Sequence, residues 1–219
     1  EALNKQGFNI VKVMNPDSET LEDAFKDFIN KYGYVKHNRL LFFYSGHGYT
    51  RSEGKKGYLV PVDAPDPNDD DMGFVQKAMN MSQILTWARR IEAKHALFLF
   101  DSCFSGTIFK TKSKAIPKHI SHITSRPVRQ FISAGSAGEE VPAKSVFVSS
   151  FIRGLEGEAD IDKDGYITGT EMGSYLYKKV LYYDTGQTPQ YGKIKDPDLD
   201  EGDFVFALGR DVYEQPSKP

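Results

Sequence analysis

Two residues in this chain, each in a short glycine-bearing motif, have the chemistry to act together on a peptide bond. Cys103 stands in Asp101-Ser-Cys-Phe-Ser-Gly106, and His47 stands in Ser45-Gly-His-Gly48. A thiol attacks a carbonyl carbon well only as its thiolate. A nearby imidazole can take the thiol proton and later protonate the leaving amine. Gly46 and Gly48 are expected to let the backbone turn sharply and to hold His47 out of a strand. The backbone N–H groups of Gly48 and Cys103, if they lie outside any strand ladder, can point at a developing oxyanion. Taken singly, the cysteine reads as a packed core thiol and the histidine as a loop residue. Two Gly-rich strand ends that carry them as a pair favour a His–Cys dyad. The other four histidines lack this setting: His37 precedes a predicted strand, His95 starts one, and His119 and His122 fall in a basic segment.

Elements must bring these residues together. Arg39-Leu-Leu-Phe-Phe-Tyr44 and Ala96-Leu-Phe-Leu-Phe100 are continuous apolar runs, the pattern of strands buried on both faces of a parallel sheet. Further strands are predicted over 8–14, 130–134 and 203–208, and a short extended piece over 57–63, followed by an acidic loop over 65–71. Helices are predicted over 19–32, capped by Asp17 or Ser18 and carrying Leu21, Phe25, Phe28 and Ile29 on one stripe, and over 82–92, 145–156 and 171–182. Residues 110–129 hold Lys110, Lys112, Lys114, Lys118, Arg126 and Arg129 with no acid and no surviving period, and read as an exposed linker. Residues 210–219 read as a polar tail. The alternation predicts an α/β fold with a mostly parallel sheet between two helical layers. Ligands bind such sheets beyond the carboxyl ends of their strands, which places His47 and Cys103 on one rim.

Composition sets wide limits. The chain has 219 residues, of which 39% are hydrophobic and 26% charged, ordinary for a globular protein of one or two domains. A net charge of −2 argues against a general nucleic-acid or membrane surface, and no apolar run approaches a membrane span. A single cysteine leaves no intramolecular disulfide. No signal peptide opens the sequence, and a cytoplasmic location is expected.

Tyr44-Ser-Gly-His-Gly48 followed by Asp101-Ser-Cys-Phe-Ser-Gly106 resembles the caspase-like cysteine peptidases of clan CD, and most closely bacterial metacaspase-like proteins (orthocaspases). The two motifs stand 56 positions apart (103 − 47), near the roughly 50 of caspases. Leu59-Val-Pro-Val-Asp63, Phe131-Ile-Ser-Ala-Gly-Ser-Ala-Gly138 and Ser145-Val-Phe-Val-Ser-Ser-Phe-Ile152 are similar to family segments in the same order. The resemblance runs from about Gly7 to Leu208. It implies a caspase-like three-layer sandwich over 1–209, divided into a large-subunit-like part (1–109), the basic linker (110–129) and a small-subunit-like part (130–209). It also implies a peptidase with Cys103 as nucleophile and His47 as base, no organic cofactor and a polypeptide substrate. The family's first strand and helix, which should precede Gly7, have no counterpart here; another chain supplying that strand is one expectation. Metacaspases usually carry histidine where Phe104 stands, and caspases proper carry Gln-Ala-Cys where this chain has Asp-Ser-Cys.

The residue two before the cysteine lines the family's pocket for the side chain preceding the cut. A carboxylate there, Asp101, selects Arg or Lys and rejects Asp; Asp63 is expected to add a second negative charge nearby. Asp101 also has a reading as a capping or loop-tying carboxylate. The basic linker lies where relatives are cut, so self-processing within 110–129 is expected.

Asp160-Ile-Asp-Lys-Asp-Gly-Tyr-Ile-Thr-Gly-Thr-Glu171 matches a twelve-residue EF-hand loop. Asp160, Asp162 and Asp164 take positions 1, 3 and 5, Gly165 position 6, the Tyr166 carbonyl position 7 and Glu171 position 12, a ligand set for Ca²⁺. An acidic turn joining two helices is the plainer reading, and no second loop is present to pair with it. Metacaspases are often calcium-activated through other acidic residues, but the region 51–56 here is basic. Two alternatives to an active Arg/Lys-specific peptidase stand beside it: a catalytically silent, calcium-binding interaction module, and a partner-activated protease of separase or CHAT type.

Overall fold

The computed structural model describes residues 1–52, 56–103, 109–110, 120–136, 139, 146–183 and 186–209, with Cys103, Phe109 and Lys110 described by their backbone. In chain order the elements are α1 (Ala2–Lys5), α2 (Ser18–Tyr32), β1 (Arg39–Ser45), β2 (Gly48–Arg51), β3 (Lys56–Leu59), α3 (Asp71–Lys77), β4 (Met79–Asn80), α4 (Met81–Arg90), β5 (His95–Cys103), β6 (Phe109–Lys110), α5 (Ile120–Thr124), β7 (Val128–Gly135), α6 (Val146–Arg153), a π turn (Gly154–Glu158), β8 (Tyr166–Thr168), α7 (Gly169–Tyr183), β9 (Gln190–Ile194) and β10 (Val205–Ala207).

The main sheet has the order β1-β5-β7-β9-β6. β1, β5 and β7 pair in parallel; β9 runs against β7, and β6 against β9. Four of the five strands therefore share one direction. One apolar cluster packs α2 and α4 on one face, and a second packs α6 and α7 on the other, giving the three layers expected of a caspase-like α/β fold. No helix among the described residues is long and apolar enough to cross a membrane.

Phenylalanines pin the strand register. Phe42, Phe98 and Phe131 are register partners on β1, β5 and β7. Their rings stack in a row, with centroids 4.5 and 4.7 Å apart and planes within 8°. Phe25 of α2 stacks on Phe42 at 5.5 Å. Slipping β1 by one residue would break this row and turn its apolar set to the wrong face. α2 is started by Asp17, whose carboxylate accepts the Thr20 N–H at 2.8 Å, and it buries Leu21, Phe25 and Ile29 at fourfold spacing.

Several expectations are corrected. Residues 8–14 form no strand and lie in no sheet. The segment 203–208 yields β10, which pairs with β8 in a two-stranded sheet and stays out of the main one. The place in the main sheet goes to β9, whose mixed polar pattern gave no strand signal. The basic segment is not a linker throughout: residues 120–124 form α5 over a buried Ile123, and β7 begins at Val128. Arg129 is only 1% exposed. Its guanidinium donates to the carbonyls of Ala88 and Ile91, which the end of α4 leaves without a helical partner, and to those of Lys94 and Val128. Residues 111–119, which carry most of the predicted linker, lie outside the described residues.

Candidate active site

Register brings the two motifs side by side. Ser45 at the end of β1 is the partner of Asp101 on β5. His47 stands two residues beyond the first and Cys103 two residues beyond the second, so their backbones leave neighbouring parallel strands at the same carboxyl edge. The β5–β7 ladder shifts between Phe100, paired with Ser133, and Cys103, paired with Gly135. This extra residue at Asp101–Ser102 is a bulge, a device that re-aims a strand end.

The histidine turn is held from below. The His47 carbonyl accepts the Val60 N–H at 2.9 Å, and the Tyr44 hydroxyl lies 2.9 Å from the same oxygen and 3.1 Å from the Val60 carbonyl. Burial pushes the Tyr44 phenol up to about 12, so it stays a neutral donor across the working pH range. The imidazole itself is exposed. Gly46 is required by this arrangement: a Cβ there would stand 2.9 Å from the Tyr44 hydroxyl oxygen and 3.0 Å from its ring carbon. Its φ is not positive, so the glycine serves close approach and not a left-handed backbone. Gly48 and Cys103 lie at the ends of the β2–β3 and β5–β7 ladders respectively, rather than outside any ladder as expected.

Asp101 is 6% exposed, and its Oδ2 accepts the Ser45 hydroxyl at 3.0 Å. It is thus a buried carboxylate on the strand that carries the cysteine. Ser45, exposed at the end of β1, was not singled out from sequence; its place in the motif directly before Gly46 was the available signal. Asp63 is different. Its carboxylate accepts the Ser18 N–H at 2.7 Å and Ser18 hydroxyl at 2.9 Å, and pairs with Lys77 at 2.7 Å. Lys77 above all, with the Ser18 donors, holds it below the usual carboxylate range. It ties the start of α2 to the segment after β3, and its charge is already compensated, which corrects the expectation of a second negative charge for the pocket.

The acidic loop has a preformed shape. Asp160, Asp162 and Asp164 each offer an oxygen within 4.8 Å of the others. Asp160 accepts the N–H groups of Asp164 and Gly165 at 3.2 and 3.1 Å, and Asp164 accepts that of Tyr166 at 2.8 Å. Lys163 at φ 61° and Gly165 at φ 88° make the tight reversal. These three carboxylates fit a hard cation. Glu171, 2% exposed, is engaged differently: it accepts the Thr168 N–H and hydroxyl at 2.8 and 2.9 Å and the Ile161 N–H at 3.2 Å. Burial holds its carboxyl above the ordinary value. The partner that a second EF-hand would supply is replaced by β10, with Phe206 opposite Ile167. β10 also accepts from Arg39, the first residue of β1, so β10 and the β8 end of the loop lie toward the amino ends of the sheet strands, away from His47 and Cys103.

The family model for the caspase domain matches residues 1–190 of the chain. No curated protein matches it.

Proposed function

Since the chain belongs to the caspase-domain family, a family of cysteine peptidases, we propose that it is a metacaspase-like endopeptidase that cuts after Arg or Lys. The observation that carries this reading is the β1–β5 register, with His47 two residues past Ser45 and Cys103 two residues past its register partner, the buried Asp101. His47 takes the Cys103 proton. The thiolate adds to the scissile carbonyl carbon while the amides of Gly48 and Cys103 receive the oxyanion. The imidazolium then returns its proton to the leaving amine, and water hydrolyses the thioester. Asp101, desolvated and braced by Ser45, meets the guanidinium or ammonium of the residue before the cut. Self-processing is proposed at the lysines of 110–118; Arg129 is excluded as a cut site by its burial.

The acidic loop is proposed to bind Ca²⁺ through Asp160, Asp162 and Asp164, with the Tyr166 carbonyl and Glu171 completing the set. Its place at the far end of the sheet supports a stabilising role rather than a part in the reaction.

The test is hydrolysis of a fluorogenic peptide with Arg before the cut. Wild type is expected to cleave it, and Cys103→Ala and His47→Ala to lose at least a hundredfold. Cleavage retained in Cys103→Ala, or a wild type inactive with and without Ca²⁺, overturns the peptidase reading. Incubation of the two purified forms reads self-processing: two fragments from wild type alone are expected, and identical patterns refute it.

A further inference from the structure

Resting on the peptidase reading, we infer that Tyr44 is a positioning residue: its hydroxyl, by holding the His47 carbonyl, aims the Gly48 N–H at the place where the oxyanion forms.

The hairpin after His47 leaves the Gly48 amide unpaired. Gly48 is the register partner of Leu59, and the hydrogen bond next to this pair runs from the Val60 N–H to the His47 carbonyl at 2.9 Å. In an antiparallel ladder that pattern makes Gly48 and Leu59 a non-hydrogen-bonded pair, whose N–H and C=O groups turn away from the facing strand. The Gly48 N–H accordingly donates to no group among the described residues. A backbone donor without a partner, one residue past the candidate base, is ready to meet a negative oxygen.

The direction of that donor is set by the carbonyl of the same peptide unit. The unit is planar and trans, so the Gly48 N–H points opposite to the His47 C=O. Whatever holds the carbonyl aims the amide. A regular ladder would hold it with a reciprocal pair, Val60 N–H to His47 C=O and His47 N–H to Val60 C=O. Among the described residues only the first is made. The Tyr44 hydroxyl stands in for the second, 2.9 Å from the His47 carbonyl oxygen and 3.1 Å from that of Val60. Its ring is packed against the apolar cluster that carries α2 and α4, so the hydroxyl has a fixed root. The turn is tied on its other side to the strand that carries the cysteine, where the Asp101 carbonyl accepts the Gly46 N–H at 3.4 Å. Without the hydroxyl, the His47 carbonyl keeps one hydrogen bond and the peptide plane between His47 and Gly48 is free to rock. The contact is to the main chain, so the loss falls on the amide and not on the imidazole.

The test is Tyr44→Phe, which removes the hydroxyl and keeps the packed ring. Deleting an oxyanion donor outright costs about 10²- to 10³-fold in kcat, so loosening one is expected to cost about 10- to 100-fold on an Arg peptide, with KM changed less than about threefold. A peptide aldehyde of the same sequence, whose adduct with Cys103 puts its oxygen in the same place, should bind more weakly by the same factor. Alkylation of Cys103 by iodoacetamide displaces iodide at a saturated carbon and forms no oxyanion, so its rate and pH profile should stay within about twofold of wild type. Placing 4-aminophenylalanine at position 44 restores a donor and should bring kcat back to within about threefold. Gly46→Ala, whose Cβ would stand 2.9 Å from the hydroxyl oxygen, should displace it and reproduce the loss, and it carries the test if Tyr44→Phe does not fold. A kcat within about twofold of wild type in the folded variant, an alkylation rate that falls with hydrolysis, or no recovery with the amino ring overturns the proposal and leaves the peptidase reading standing. A wild type that is alkylated at Cys103 yet cleaves no peptide overturns both.

Discussion

Replacing Asp101 by Asn tests the proposed specificity pocket with one atom. The change removes the charge but keeps an oxygen that can still accept the Ser45 hydroxyl, now at 3.0 Å. The side chain is 6% exposed, so water screens it poorly. At an effective dielectric of about 20 and a ~4 Å separation, attraction to a bound guanidinium is roughly 4 kcal/mol, or about three decades in kcat/KM. Desolvation of the substrate cation offsets part of that, so a loss of about 10²- to 10³-fold is expected on an Arg peptide. The same peptide with citrulline, the neutral isostere, should change less than about threefold. The assay is kcat/KM for both peptides on both enzymes. If the two fall by the same factor, Asp101 supports the strand end and does not read charge, and the specificity argument fails.

His95 is 2% exposed, and burial lowers it from 6.5 to about 4. The unfolded chain therefore binds the extra proton first. Stability is fully present above pH 6.5 and falls as pH drops toward 4, by about 3 kcal/mol at ~1.36 kcal/mol per pH unit. Urea unfolding between pH 7 and 4 should show this slope and His95→Gln should flatten it; an unchanged slope refutes it. Gly173→Ala places a Cβ 2.4 Å from the Tyr191 ring, and overpacking of this kind costs ~1–3 kcal/mol, seen as a fall in Tm of roughly 2–10 °C by calorimetry. Calcium should raise Tm, Asp160→Ala should abolish the rise, and kcat at saturating Ca²⁺ should differ little between them; a Ca²⁺-dependent kcat with no change in Tm would contradict the placement of the loop.

Much of the site was legible because it is written locally. The apolar runs of β1 and β5 mark neighbouring strands of the main sheet, β5 buried inside it and β1 alternating at its edge, and each is followed by a glycine-bearing motif whose residues are contiguous in sequence. The acidic loop likewise carries its whole pattern within twelve positions. Pairings between distant segments carry no such signature. Nothing near Asp63 announces that Ser18 and Lys77 would neutralise it, nor does anything near Arg129 announce the carbonyls of Ala88 and Ile91 at the end of α4. β9 has a mixed pattern because its neighbours β7 and β6 and the packing of α7, not its own periodicity, decide its burial. Residues 8–14 have the composition of a strand, yet whether they form one depends on a partner backbone. Side-chain chemistry and its spacing belong to the sequence, while the compensation of a charge or the pairing of a strand depends on which groups the chain brings within a few ångströms.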